Sequence, residues 1–231
     1  MKTLGLIGGM SWESTAIYYR LLNEIVRERL GGLHSAKLLL WSFDFAEIAE
    51  RQHGGDWEGA GALLVEAARK LEAAGTEGLL ICTNTMHKLA DAVQAAVSIP
   101  LIHIADATAV AVRLAGVNRP ALLATRFTME QDFYKGKLIE KHGLQPVVPD
   151  ETGRDMVHRV IYDELCQGIV REGSKAAYID EIVRMRRDQK IDSVIMGCTE
   201  ITMLIGQEDF DIPVFDTTRI HAEAAVAFAL G

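Results

Sequence analysis

Cysteine is scarce in this chain, with three in 231 residues, Cys82, Cys166 and Cys198. Their odd number and wide spacing form no metal-ligand pattern and do not make the disulfide framework of a small secreted domain. The protein therefore reads as reduced and cytoplasmic. Long apolar runs are also missing. None approaches the roughly 18 residues of a membrane span, and the N-terminal apolar patch is broken by Gly8, Gly9 and Glu13, so neither a span nor a signal peptide is expected. Positive charge is in deficit: 24 Lys and Arg stand against 32 Asp and Glu, for a net charge of −8. The cations are scattered among carboxylates, so there is no basic stripe to neutralise phosphates and no nucleic-acid partner is expected. Seven histidines include no HExxH pair and no His/Cys cluster, so no metal is expected. No Schiff-base lysine with a phosphate cradle can be named, which leaves pyridoxal phosphate without a home and the chain without an expected cofactor.

What is present is an ordinary globular balance of 49% apolar and 24% charged residues, enough to build a sizeable core. Short apolar runs alternate with helical patterns. Strands are expected at Thr3–Gly8, Lys37–Trp41, Gly78–Cys82, Pro100–Ile104, Pro120–Ala124, Gln145–Val148, Ser193–Met196 and Pro213–Phe215. Helices are expected from Ser11 to about Leu30, over Trp57–Ala74 and over Thr85–Ala96. The strands lack period-two polarity, as parallel strands covered on both faces do.

The second half resembles the first. Leu6-Ile-Gly-Gly lines up with Leu122-Leu-Ala-Thr, Leu80-Ile-Cys-Thr-Asn with Ile195-Met-Gly-Cys-Thr, and Ile99-Pro-Leu-Ile with Ile212-Pro-Val-Phe, at an offset of about half the chain. The fold class is therefore α/β: two similar lobes, each with a mainly parallel sheet flanked by helices, related by pseudo-twofold symmetry. Residues 1–105 with 216–231 are assigned to the first lobe and 106–215 to the second. No low-complexity linker separates them, and a site is expected in the cleft between.

Ligands of open parallel sheets bind beyond the carboxyl ends of strands. Three segments lie there: Gly8-Gly-Met-Ser-Trp-Glu-Ser-Thr, Cys82-Thr-Asn-Thr-Met-His and Gly197-Cys-Thr-Glu-Ile. The first is no dinucleotide fingerprint, because bulky Met10 and Trp12 stand where a close-approach glycine is needed. It reads as a turn capped by Ser11, with Met10 and Ser11 lining a cleft as the other reading. The repeat superposes Thr83 on Cys198, Asn84 on Thr199 and Thr85 on Glu200. Two short nucleophilic side chains would then face each other, an arrangement suited to taking a proton from one face of a carbon and returning one to the other. Asn84, Thr85 and Thr199, with nearby N–H groups, are candidate donors to a charge-gathering carboxylate. Thr85 also reads as a helix cap, and Glu200 as a cap or as an orienting group for a proton donor. His87 reads as structural.

Together these three motifs resemble the cofactor-independent aspartate/glutamate racemase family over essentially the whole chain, and within it the enterobacterial-type enzymes acting on aspartate, glutamate or a broader set. The resemblance implies one acid/base residue per motif, usually cysteine in both, a homodimer, and a substrate site that includes Met10, Gln52 and Thr125. It also implies removal of the α-proton mainly from the L-isomer, by the second-lobe thiol. This chain departs from the family in carrying Thr83 at the first cysteine position. Cys82, one residue earlier, should point into the core because neighbouring side chains on a strand alternate. Cys198 is the expected base, its thiolate helped by a helix start at Thr199–Leu204, with Thr83 as the weaker partner. Arg51, beside Gln52, competes as a side-chain carboxylate binder or is simply an exposed loop arginine. The competing activities are a decarboxylase, maleate isomerase or hydantoin racemase on the same fold, or a metabolite-binding protein without turnover.

Overall fold

The computed structural model describes residues 1–231. In it β1 (Leu4–Gly8) is buried along its whole length and pairs in parallel with β2 (Leu38–Ser42) and β3 (Gly78–Ile81), Leu6 standing opposite Leu40 and Leu80. Alternation decides which side each residue serves. Leu4, Leu6 and Leu80 pack with Tyr18, Leu22 and Val226 on one face, whereas Ile7, Leu79 and Ile81 pack with Ile48, Leu64 and Ala68 on the other. Both faces are apolar because both carry helices. These are α1 (Trp12–Leu30), α2 (Phe45–Gly54), α3 (Trp57–Ala73) and α4 (Ala90–Ala96). Ser11, Asp44 and Asp56 cap the first three by accepting from backbone N–H groups of the first turn, a contribution of about 1 kcal/mol each.

The second sheet is also parallel, in the order β4 (Pro120–Leu123), β5 (Ser193–Met196), β6 (Val214–Asp216). Around it run α5 (Ile104–Leu114), α6 (Arg126–Glu130), α7 (Asp132–Gly136), α8 (Glu151–Asp163) and α9 (Glu172–Gln189), whereas α10 (Thr217–Leu230) starts here and from His221 onward belongs to the first unit, where Ala222, Ala225 and Val226 join its core. Its core gathers Leu122, Leu123, Val194, Ile195, Tyr178 and Met185. The chain divides into two compact units, Met1–His103 with His221–Gly231, and Ile104–Ile220.

Two expected strands are reduced to single bridges. In Pro100–Ile104 only Leu101 pairs, with Leu79: Pro100 O and Ile102 N bond to Leu79, but Pro100 has no N–H to extend the ladder and Ile104 already opens α5. In Gln145–Val148 only Val147 pairs, with Ala121, and Pro149 follows. With the bridges included, both sheets have the same order. Strand β2, then β1, β3 and Leu101 in the first unit correspond to Val147, β4, β5 and β6 in the second. The internal repeat read from the sequence is thus a repeat of topology. The expected helix Thr85–Ala96 is a 3₁₀ turn, Thr85–Leu89, followed by α4.

Candidate active site

The chemistry-bearing turn of the first unit leaves β3 at Ile81. Cys82 turns inward as alternation requires. It is fully buried beside Tyr18, Leu80 and Ala222, and burial pushes its thiol far above the ordinary range, so it is a core residue. Thr83 is partly exposed. Asn84 and Thr85 are buried; Asn84, not Thr85, holds the cap position of the 3₁₀ turn, and its side chain makes no capping bond.

The β1 turn is shaped by Gly9, whose φ of 76° and contact with the Phe43 backbone leave no room for a Cβ. Gly9 N–H donates to Thr15 Oγ1 at 2.8 Å. Met10, next along, is 4% exposed and packs with Ile7 and Ile48 in the cluster that also holds Met86. Gln52, in the last turn of α2, reaches the same methionine: its Nε2 donates to Met86 Sδ at 2.9 Å. Its Oε1 is buried without a hydrogen-bond partner, a costly state for an acceptor and one a ligand donor would relieve. Gln52 is thus tied to Met86, in the same motif turn as Thr83, Asn84 and Thr85, and Met10 belongs to the apolar cluster that holds Met86. Arg51 instead pairs with Asp56 at 2.5 Å in a surface hollow shared with Glu47 and Glu50, a setting that opposes a second carboxylate.

In the second unit, β5 ends at Met196 and Gly197 follows, its N–H donating to Leu123 O at 2.7 Å. A Cβ here would press on Ala124 and Leu122. This close approach sets the ends of β4 and β5 side by side. Thr125 takes the cap position of α6 without a capping bond and is buried, its Oγ1 lying 3.3 Å from Thr128 Oγ1. Thr199 is buried with its Oγ1 2.9 Å from Thr218 Oγ1.

Cys198 itself is 9% exposed. Its Sγ–H donates to Glu200 Oε2 at 3.0 Å, and Glu200 is buried as well. Burial, and next the charge of Glu200, push the thiol well above its usual range. The expectation of a helix start that favours thiolate is overturned on two counts. The following element is a five-residue 3₁₀ turn, Thr199–Met203, too short to sum a macrodipole, and the carboxylate two residues on works in the opposite direction. The same environment includes Tyr162, whose phenol is held up by burial, then by Cys198, Cys166 and Glu200. Tyr178 is also held up by burial and then by Cys198. Of these neighbours only Glu200 was expected at the site from sequence. Tyr162 lies on α8, Cys166 in the 3₁₀ turn after it and Tyr178 on α9, so no local spacing in the sequence pointed to them.

A histidine cluster in the first unit was also missed. The rings of His87 and His103 lie 4.7 Å apart, and those of His87 and His221 5.6 Å. His221 Nε2 donates to Ile102 O at 2.7 Å, which leaves Nδ1 to accept from Tyr18 OH at 2.8 Å. Burial lowers His221 to about 4, so this imidazole is neutral at neutral pH. No group of His, Cys, Asp and Glu in the structure is arranged to hold a metal, and no helix is long and apolar enough to cross a membrane.

Comparison with known proteins adds a second line of observation. The sequence model of the Asp/Glu/hydantoin racemase family matches residues 7–225. A crystal structure from Yersinia pestis, assigned provisionally as an Asp/Glu racemase, is 54% identical, covers all of both chains and superposes with a TM-score of 0.94. An aspartate racemase homologue from Pyrococcus horikoshii is 36% identical, again over all of both chains, with a TM-score of 0.88. A broad-specificity amino-acid racemase from Bacillus subtilis is 21% identical over 97% of this chain and 96% of its own.

Proposed function

The chain belongs to the Asp/Glu/hydantoin racemase family, and from that premise we propose that it is an amino-acid racemase that interconverts L- and D-aspartate or glutamate without a cofactor. The observation that carries the reading is the equivalent station of Thr83 and Cys198. Each lies two residues past the end of a matching strand, β3 or β5, in a repeated topology.

Racemisation needs a proton acceptor on one face of Cα and a donor on the other. Cys198 takes the acceptor role for the L-isomer. Its proton passes first to Glu200 Oε2, the group to which Sγ already donates, and the resulting thiolate removes the α-proton. The carbanion spreads its charge into the α-carboxylate, where Asn84, Thr85, Thr125 and Thr199 with neighbouring backbone N–H groups act as donors. Gln52 Oε1 accepts from the substrate ammonium, and Met10 packs against the substrate. Thr83 delivers a proton to the opposite face and recovers it from water, because an alkoxide is too basic to persist; Glu200 releases the proton it took from the thiol to solvent, which neutralises the hydroxide and restores both stations. Partial exposure of Thr83 is what such a relay requires. A homodimer in the cytoplasm belongs to the same reading; three free thiols are compatible with a reducing compartment.

Decarboxylation, maleate isomerisation and silent binding are not favoured by relatives of this kind. The test is incubation with each enantiomer of aspartate and glutamate in deuterium oxide, followed by chiral chromatography and mass spectrometry. Inversion with one deuteron at Cα is expected, with the faster initial uptake from saturating L-substrate. Equal initial rates would remove the directional assignment, and absence of inversion would remove the activity.

A further inference from the structure

The turn that carries Thr83 is tied down by side chains on both sides of that residue. Ser14, 1% exposed in the first turn of α1, donates from Oγ to Cys82 O at 3.0 Å. His87, 2% exposed, places Nδ1 2.7 Å from Thr83 O. A carbonyl oxygen only accepts, so Nδ1 carries the proton and donates. Two consecutive carbonyls are thereby held by side chains, where the β3 ladder has ended and the 3₁₀ turn has yet to begin. The His87 ring is itself held in place. It packs edge-on against His103 and His221, and His221 is pinned by Ile102 O and by Tyr18. A ring fixed from behind and donating forward constrains the residue whose carbonyl it holds.

We propose that His87 and Ser14 are positioning residues of the reaction, which clamp the Thr83 and Cys82 carbonyls and so fix the backbone from which the Thr83 hydroxyl is aimed at Cα. The inference rests on the reading of Thr83 as the second proton-transfer group. A displacement of about 1 Å at a reacting group costs rate more than affinity, so loss of the clamp acts on kcat and spares KM. The chemistry also says which substitutions repair it. Asparagine presents an N–H close to the position of histidine Nδ1, whereas glutamine presents one near that of Nε2, from which the Thr83 carbonyl is not reached.

The experiment measures kcat and KM in both directions for His87→Gln, His87→Asn and Ser14→Ala, each alone and combined with Thr83→Ala, with thermal unfolding to establish that each variant is folded. His87→Gln is expected to lower kcat about tenfold with KM within about twofold, and His87→Asn to keep a third or more of the rate. In the Thr83→Ala background neither His87→Gln nor Ser14→Ala should cost more than about twofold further, because residues that act through one group are not additive. If Thr83→Ala alone keeps full kcat, the reading of Thr83 fails. If Thr83→Ala is impaired but the His87 and Ser14 losses recur in full on top of it, or if Gln serves as well as Asn, that reading stands and the clamp falls. Should His87→Gln fail to fold, the Ser14→Ala pair decides by the same criterion of additivity.

Discussion

The turns after β3 and β5 occupy the same place in the same topology and are built in opposite ways. In the first, the group two residues past the strand is a partly exposed hydroxyl, and the carbonyl of its residue is held by the side chain of His87. In the second, the group is a buried thiol bonded to a buried carboxylate, and the carbonyl of its residue accepts a backbone N–H from Ile201 at 3.2 Å. Thr202, which stands in the repeat where His87 stands, donates its hydroxyl to Thr199 O at 2.8 Å. Strand order fixes where a side chain leaves the sheet. What surrounds that side chain is set by neighbours that the repeat does not preserve, a histidine in one unit and a glutamate in the other.

The sharpest way to break the comparison is to remove the thiol. Cys198→Ser puts a hydroxyl at both stations, and a serine hydroxyl is a far weaker acid than a thiol even where burial holds the thiol up. Exchange and inversion at Cα are expected to fall by at least about 10³-fold, with thermal unfolding little changed because the two side chains are nearly isosteric. Retention of more than a tenth of wild-type activity would take Cys198 out of the mechanism.

A smaller effect is expected from Glu200→Gln, which keeps the acceptor and removes the charge. After burial, the Glu200 charge is the largest influence holding the thiol up, so its loss should move the thiol titration to lower pH. The groups Tyr162, Cys166 and Tyr178 remain around it. Alkylation of Cys198 by iodoacetamide, followed peptide by peptide so that Cys82 and Cys166 are separated, should accelerate about tenfold at pH 8. Such an acceleration would report a larger thiolate fraction at that pH, in the direction set by removing the Glu200 charge. Inversion should slow in the same variant, because Gln cannot take the thiol proton. An unchanged alkylation profile would mean that the carboxylate does not govern the thiol.

The sequence made the sheets legible because parallel strands buried on both faces leave uninterrupted apolar runs, as at Leu4–Gly8 and Ser193–Met196. It overextended the outer strands at Pro100–Ile104 and Gln145–Val148, where the apolar pattern persists but a proline beside the single bridge interrupts the N–H series. Thr83 and Cys198 were placed at matching stations by the repeat. The environment of Cys198 was less legible, because Tyr162, Cys166 and Tyr178 arrive from α8, the turn after it and α9, twenty or more residues up the chain. The His87, His103 and His221 cluster escaped for the same reason: α10 returns to the first unit to deliver His221, and only tertiary structure joins position 221 to position 87.

The smallest expected effect sharpens the comparison instead of breaking it. Thr83→Cys restores a thiol at the first station, with His87 and Ser14 still holding the backbone beneath it. Enantiomers in water have equal free energies, so the equilibrium constant between them is one and kcat/KM must be the same from either side in any variant. A faster first station therefore cannot favour one direction in kcat/KM. It should raise kcat/KM for both directions equally, by about threefold to tenfold. What distinguishes the stations is how each kcat/KM divides: with a thiol in place of Thr83, kcat from the D-isomer should rise more than kcat from the L-isomer, and the ratio of KM for D to KM for L should rise by the same factor as the ratio of the two kcat values. Chiral progress curves from both enantiomers measure all four constants. A gain confined to one direction of kcat/KM would expose an assay error. No gain in either direction would show that the hydroxyl is not what limits the rate, and would place the barrier at the Cys198 station.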